Sequence, residues 1–191
     1  MTPVPGGPLG GLDGWAVSEP PAQITTATKD EAHMTPEWDR QAEFIEGVAV
    51  REVKHIVTGN GITTELFRED WGIMKGDPVH MIHVSLRPGA ISAWHMHKLK
   101  TDHLFVVGGT MRAVLYDDRE GSTTRGQVDV FHLSFVRPTL IVIPPEVWHG
   151  IQTLGSEPVS FVNFFDNAYD YADPDDYRLP ADTPEIPHSF T

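Results

Sequence analysis

Histidines and carboxylates cluster in two short stretches of the chain. His95 and His97 are separated by one residue, Asp102 follows shortly after, and His149 ends the stretch Ile-Pro-Pro-Glu-Val-Trp-His. On a β-strand, residues i and i+2 point to the same face, so His95 and His97 share one wall. Three imidazoles and a carboxylate suit Fe, Mn, Ni or Zn, and an imidazole without a metal can act as a general base.

The segments that must position these residues are short strands joined by turns. Turn signals such as Gly59-Asn60-Gly61 and Gly108-Gly109 separate them, with little helical periodicity, which favours an all-β sandwich or barrel. We expect strands at Val48–Val57, Ile62–Phe67, Val79–Leu86, Ile91–His97, Leu104–Val107, Met111–Tyr116, Val128–Leu133, Leu140–Ile143, Trp148–Thr153 and Val159–Phe165.

Three regions follow from the change in composition along the chain. Residues 1–46 are expected to form an N-terminal arm, rich in proline and glycine at its start, with a helix beginning at Thr35-Pro36. Residues 47–166 are expected to form the barrel. Residues 167–191 contain four prolines, which exclude a helix, and several apolar side chains; we expect an extended segment packed on the barrel.

Bulk composition excludes several classes of protein. The chain has 191 residues and no cysteine, so any metal must use histidine and carboxylate ligands. A formal net charge of −13 argues against nucleic acid as a partner, because binding to phosphates needs cationic side chains. No apolar run is long enough for a membrane span, and the N-terminus does not have the pattern of a secretory signal. We therefore expect a cytoplasmic protein that binds neither membrane nor nucleic acid.

The first histidine stretch resembles the first signature of the cupin superfamily. Gly89, His95, His97, Asp102 and Gly109 have its spacing, with aspartate where glutamate is usual. The second signature is similar to Pro144-x-Glu146-x-x-His149. The resemblance implies one divalent metal held by His95, His97, Asp102 and His149, with His103 as the alternative to Asp102. A metal-free cluster of hydrogen-bonded polar residues is the other interpretation.

Further motifs resemble those of the dTDP-4-dehydrorhamnose 3,5-epimerase family. They include Asp117-x-Arg119-x-x-Ser122-x-Thr124 and the His149-Gly150 pair, and the similarity spans roughly residues 43 to 171. It implies a cupin jelly-roll barrel, a homodimer, and proton abstraction next to a ketone without metal. His95 falls on the family's base and His149 on its second histidine.

Other functional positions of that family carry different residues here. Its arginine falls on Ser92, its lysine near Asp102 or His103, and its tyrosine at Val162 or Asn163. An epimerase needs a base, a group that holds the enolate charge, and an acid on the opposite face. If a metal occupied His95, the base would have to be another residue. Candidates for that base are Glu146, Tyr116 and His83, although strand alternation favours an exposed His83.

Several other polar or aromatic residues have two interpretations. Trp94 and Trp148 flank the site histidines and either pack in the core or stack on a sugar. Asn163 lies in an apolar strand, so it either pairs with backbone or points at a ligand. The acidic stretch Asp173 to Asp176 is expected to form a solvated face.

Three hypotheses about function follow. The first is an epimerase or isomerase that transfers a proton next to a carbonyl of a sugar or a related small keto compound. The second is a metal-dependent cupin enzyme, such as an oxygenase, isomerase or lyase. The third is a cupin that binds a small molecule without catalysis.

Overall fold

The computed structural model describes residues 28–29, 34–36, 43–74 and 76–190. The chain divides into two compact units, Met1–Gln41 and Ala42–Thr191, and the fold described below is that of the second. Pro36 lies in a turn, but the helix expected to follow it falls outside the described residues.

Strands dominate the described part of the chain. They are β1 Ala49–Glu52, β2 Ile56–Thr58, β3 Gly61–Thr63, β4 His80–Leu86, β5 Ile91–Met96, β6 Asp102–Gly108, β7 Thr110–Asp117, β8 Val128–Ser134, β9 Thr139–Ile143, β10 Val147–Leu154, β11 Val159–Phe165 and β12 Tyr177–Arg178. The helical content of these residues is a single 3₁₀ turn at Glu69–Trp71. No helix in the described ranges is long and apolar enough to cross a membrane.

Two five-stranded antiparallel sheets form the body of the fold. The strand order is β1-β9-β6-β11-β4 in the first sheet and β12-β5-β10-β7-β8 in the second, and β2 and β3 form a separate hairpin. The sheets pack face to face through one apolar cluster, in which Leu104 and Ile141 of the first sheet meet Met111, Leu115 and Ile151 of the second. This architecture confirms the predicted all-β jelly roll.

Alternation along the strands sets which side chains face the interior. On β7, Met111, Ala113 and Leu115 are buried in the main core. The intervening Val114 and Tyr116 pack in a second cluster on the other face of the sheet. Because the period is two, every polar residue placed in phase with the core points into the interior between the sheets.

Two predicted strands are shorter in the structure. The run Val48–Val57 divides into β1 and β2, because β1 pairs with β9 only as far as Thr139. The preceding residue, Pro138, has no amide to continue the ladder, although its carbonyl accepts from Val53 at 2.9 Å. The run Ile62–Phe67 keeps its strand only to Thr63, where the hairpin with β2 ends.

The C-terminal segment adds a strand to the edge of the second sheet. β12 pairs with β5, and Trp94 and Leu179 exchange two backbone hydrogen bonds of 2.9 and 3.2 Å. Further along, Phe190 packs on Trp94 with ring centroids 5.0 Å apart. Gly150 makes this packing possible, since a Cβ at residue 150 would lie 2.6 Å from the Phe190 ring. The segment therefore reaches the strand that carries His95.

Candidate active site

A cavity of about 420 Å³ lies between the two sheets. Its volume is in the range of small-molecule binding sites. The apolar part of its wall comes from both sheets and includes Val84, Leu104, Ile151 and Phe161. Polar side chains of β5, β6, β10 and β11 and of the C-terminal segment complete the wall.

Three histidines meet at this cavity. His95 on β5 and His149 on β10 are paired in register, and their rings are stacked with centroids 5.9 Å apart. The His97 ring lies 5.5 Å from that of His149. All three side chains line the cavity, as expected for inward positions on neighbouring strands.

His95 is a neutral imidazole at pH 7. Desolvation, followed by the charges of His149, Arg178 and His97, lowers the pKa of His95 from 6.5 to about 4. Its Nε2 lies 3.0 Å from Ser92 Oγ. A half-buried, unprotonated imidazole facing a ligand cavity has the properties of a general base.

His97, Asp102 and His149 form a second group in the same wall. Ligand atoms of these three buried residues lie within 4.8 Å of one another, whereas His95 does not belong to the group. Asp102 Oδ2 is 3.6 Å from His97 Nε2, and Asp102 Oδ1 accepts a 2.7 Å hydrogen bond from Asn163 Nδ2. Desolvation lowers the pKa of His149. The sequence predicted a metal site that included His95; in this cluster the possible metal ligands are His97, Asp102 and His149, which leaves His95 as a separate candidate for the base.

Outer partners orient the two imidazoles of this group. His97 Nδ1 lies 2.6 Å from the carbonyl oxygen of Asp175, and His149 Nδ1 lies 3.2 Å from that of Val147. Since a carbonyl only accepts, each Nδ1 donates its proton to that oxygen, and each Nε2 is the nitrogen left for other partners.

Four predicted site residues are not brought to the cavity. Trp94, Trp148 and Tyr116 alternate with inward positions and pack in the apolar cluster beneath the C-terminal segment. Trp94 is completely buried there, so neither tryptophan offers a stacking face to the cavity. Glu146 is exposed in the turn before β10, where its backbone N–H donates to the His97 carbonyl at 2.6 Å.

Two alternative residues also point elsewhere. His83 is exposed on β4, between the lining residues Ile82 and Val84. His103 follows Asp102 on β6 and therefore faces the opposite side, where it is fully buried with Nδ1 3.1 Å from the Phe164 carbonyl.

The C-terminal segment supplies cavity residues that the sequence did not reveal. Tyr169, Tyr171, Asp176 and Arg178 all line the cavity. The expectation of a solvated acidic face is therefore wrong for two residues. The Asp175 carboxylate accepts the backbone N–H groups of Lys98 and Leu99, and Asp176 lies 3.2 Å from Lys100 Nζ. The strand β12 has only two residues, which is too short to show a periodic pattern. The position of the C-terminal segment in the cavity wall could therefore not be predicted from the sequence.

Comparison with known proteins agrees with this geometry. Residues 43–188 match the dTDP-4-dehydrorhamnose 3,5-epimerase family. The chain belongs to this family. It is 37% identical over 139 residues to the probable low-salt glycan biosynthesis epimerase Agl13 of Haloferax volcanii, covering 72% of this chain and 89% of that protein. It is 34% identical to the spore coat polysaccharide biosynthesis protein SpsL of Bacillus subtilis, covering 75% and 94%.

A solved structure of the same family supports the fold. The dTDP sugar isomerase of Desulfovibrio desulfuricans G20 superposes with a TM-score of 0.71 and 29% identity, covering 76% of this chain and 91% of that one. The predicted family resemblance is confirmed, and so is the predicted activity. The protein is a sugar epimerase that acts next to a keto group.

Family membership makes the substituted positions informative. Of the alternatives for the family's lysine and tyrosine, Asp102 and Asn163 line the cavity and His103 and Val162 do not. Ser92, at the position of the family's arginine, lines it too. On the correspondence predicted from the sequence, the cavity wall therefore presents a hydroxyl, a carboxylate and an amide in place of the family's arginine, lysine and tyrosine.

Proposed function

We propose that this epimerase acts on a nucleotide-linked keto sugar and that His95 is its base. The observation that carries the proposal is the neutral His95 imidazole in the wall of the cavity, with a pKa of about 4. His95 takes the proton from the carbon next to the ketone, and the electron pair of that C–H bond forms an enolate. A proton delivered to the opposite face of the same carbon then gives the epimer, with no net oxidation or reduction.

The C-terminal segment contributes the proton donor in this proposal. The hydroxyl-bearing Tyr169 and Tyr171 line the cavity, with ring centroids 5.0 Å apart. They come from a different part of the chain than β5, which carries the base. In this proposal one of these tyrosines delivers its proton to the face of the carbon opposite His95, which is what inversion requires.

The nucleotide would interact with Arg178 at the edge of the cavity. Arg178 lines the cavity, is exposed, and forms no ion pair with a carboxylate of the described residues. An unpaired guanidinium suits a phosphate, with which it can form two parallel hydrogen bonds. This local charge would offset the net charge of −13, which repels a nucleotide sugar.

Solvent-deuterium exchange tests this proposal. The purified protein is incubated in D₂O with 4-keto-6-deoxyhexoses linked to dTDP, UDP, GDP or CDP, and deuterium next to the ketone is followed by NMR. We expect exchange with at least one of them, and slow exchange with dTDP-4-keto-6-deoxyglucose because Ser92 replaces the family's arginine. Rapid exchange with that compound would overturn the second expectation, and no exchange with any compound would overturn the proposal.

A divalent metal is the second candidate, at His97, Asp102 and His149. The three ligand types suit Fe, Mn, Ni or Zn. The carbonyls of Asp175 and Val147 accept from the two histidines, and Asn163 donates to Asp102; outer hydrogen bonds of this kind orient metal ligands. Elemental analysis of freshly purified protein decides this point. We expect metal in the wild type and its loss in His97→Ala; a metal-free protein whose activity chelators do not change would exclude the site.

Homodimer formation and a cytoplasmic location stay predictions. Light scattering coupled to size-exclusion chromatography measures the first directly: a mass near twice 21.2 kDa is expected, and a monomeric mass would contradict it.

A further inference from the structure

We propose that Lys100 is a catalytic residue that holds the negative charge of the enolate. This inference rests on the proposed function, because an enolate forms only if a proton is removed next to the ketone. Preorganised cations or hydrogen-bond donors at the developing oxyanion usually contribute a large share of such catalysis. Asp102, Asn163 and Ser92 do not supply a positive charge, so a cation at the oxyanion would come from another residue.

Lys100 is a buried cation in the cavity wall. It is 6% exposed and lines the cavity. Its Nζ lies 5.1 Å from the ring centroid of Phe165 and 5.4 Å from that of Tyr169. A charge in such a partly apolar setting acts more strongly on a bound ligand than one in water.

Lys100 lies beside the histidine cluster. Its carboxylate partner, Asp176, is also 3.1 Å from His97 Nδ1. Among the residues that line the cavity, Arg178 also carries a positive side chain, but it is exposed. The buried cation is better suited to an oxyanion formed inside the cavity.

The turn that carries Lys100 is fixed before any ligand binds. The Asp175 carboxylate accepts from the N–H groups of Lys98 and Leu99 at 3.0 and 2.7 Å. Asp166 accepts from the N–H of Thr101 at 2.7 Å. These bonds hold the backbone on both sides of Lys100, which satisfies the requirement for preorganisation.

Asp176 has a positioning role in this proposal. Its Oδ1 lies 3.2 Å from Lys100 Nζ and 3.1 Å from His97 Nδ1. The carboxylate compensates the buried ammonium while the cavity is free of substrate. When the ketone oxygen becomes an enolate oxygen, the Lys100 ammonium stabilises its negative charge. That charge disappears when the carbon is reprotonated, and Lys100 keeps its proton throughout.

The test compares two lysines of the same turn. Lys100→Met removes the charge and keeps most of the side chain, and we expect kcat to fall by about 10²- to 10³-fold with KM changed only a few-fold. Lys98→Met is the matched control. The Lys98 side chain lies over the Tyr177 ring at 4.7 Å and does not line the cavity, so wild-type kcat is expected. Equal kcat in the two variants would overturn the proposal.

The absence of cysteine allows a second variant that separates charge from structure. Lys100→Cys places the only thiol of the chain at residue 100, and alkylation with 2-bromoethylamine converts it to a lysine analogue, checked by mass spectrometry. We expect the unmodified variant to be nearly inactive and the alkylated one to regain most of its kcat. Alkylation without recovery would contradict a role for the charge.

Asp176→Asn tests the positioning role. We expect it to lower kcat in the wild type by about tenfold but to have no further effect on Lys100→Met, because it acts through the lysine. Additive losses would contradict this role.

Deuterium exchange by the wild type distinguishes the two proposals. If the wild type does not exchange, the proposed function fails. If it exchanges and Lys100→Met exchanges equally fast, only the inference about Lys100 fails.

Discussion

Two buried polar clusters, one around Asp117 at the end of β7 and one that includes His149 of β10, differ in how their charges are satisfied. Asp117, at the end of β7, is paired with Val147 of β10, and Leu115 is paired with His149. The Asp117 cluster lies at the end of these strands, and the histidine cluster faces the cavity between the sheets. The two clusters are therefore neighbours in the sheet but lie in different surroundings.

Every group around Asp117 has its partner within the cluster. The fully buried carboxylate accepts from the Arg119 side chain at two points of 2.9 Å, and from Ser122 and Thr124 hydroxyls at 2.6 Å. Desolvation alone would raise the pKa of Asp117, but these hydrogen bonds outweigh it and hold the pKa well below its usual range. The carboxylate is charged and fully compensated, so it stabilises the fold and binds nothing further.

The histidine cluster is incompletely satisfied by comparison. His97 and His149 have one nitrogen bound to a backbone carbonyl, and their other nitrogens face Asp102 or the cavity. Desolvation keeps His95 and His149 neutral at pH 7. The difference is that the fold satisfies the hydrogen bonds of the Asp117 carboxylate, whereas the histidine cluster keeps hydrogen-bonding capacity that a ligand could use.

The largest effect is expected from removing the base. His95→Gln should lower kcat/KM by about 10²- to 10⁴-fold, the usual contribution of a general base, while the unfolding free energy changes little. His97→Gln sharpens the comparison, because in a metal-free enzyme it should lower kcat/KM much less than His95→Gln does. Steady-state kinetics and elemental analysis of both variants are the measurements. Equal large losses with no metal in the wild type would contradict the division of roles.

Removing the compensated charge should destabilise the fold without changing the chemistry. Asp117→Ala removes the buried carboxylate and leaves the partly buried Arg119 without its ion-pair partner, so it should lower the unfolding free energy by about 3–5 kcal/mol. Asp118→Ala is the matched control, because its ion pair with Arg125 is 56% exposed on both sides and should contribute less than about 1 kcal/mol. Urea unfolding measures both. Similar stability of the two variants would show that the Asp117 cluster is not a structural one.

Much of the fold could be predicted from residue patterns, because jelly-roll strands alternate with a period of two. The same period identified the shared inward face of His95 and His97. It also indicates that Trp94 and Trp148 point outward, next to inward histidines; they were proposed as ligand contacts because aromatic residues close in sequence to a site suggest binding. Strand parity excludes that role.

The wall formed by the C-terminal segment could not be predicted. Asp175 and Asp176 resemble a solvated acidic run, and only the pairing of β12 with β5 brings them to His97 and Lys100. Such a contact joins residues more than 70 positions apart in the chain. Local sequence patterns do not predict contacts between residues so far apart in the chain.

The two clusters should also lose their contributions to the stability of the fold in different pH ranges. A His95 pKa lowered from 6.5 to about 4 means that the folded state binds fewer protons than the unfolded state between these values, so stability falls as the pH falls through this range. The contribution of Asp117 is present above the carboxyl's ordinary pKa and is lost only at more acidic pH. Urea unfolding from pH 7.5 to 4.5 should show a loss of about 1–3 kcal/mol in the wild type that is smaller in His95→Gln. An identical pH dependence in both proteins would contradict the assignment.

The same lowered pKa has a kinetic consequence. The acid limb of kcat/KM for the free enzyme should lie near pH 4 to 5 instead of near the ordinary histidine value of 6.5, because the base stays unprotonated to lower pH. An acid limb at 6.5 would mean that a different, unperturbed group is the base.

The smallest effect is expected from Ser92→Ala, which tests the hydroxyl that occupies the position of the family's arginine. Ser92 Oγ lies 3.0 Å from His95 Nε2, so the hydroxyl orients the imidazole without supplying a charge. A neutral hydrogen bond of this kind contributes about 0.5–1.5 kcal/mol, which corresponds to a decrease in kcat/KM of about two- to tenfold. A decrease as large as that of His95→Gln would instead make Ser92 part of the proton-transfer chemistry. An unchanged value would mean that packing alone fixes the His95 ring.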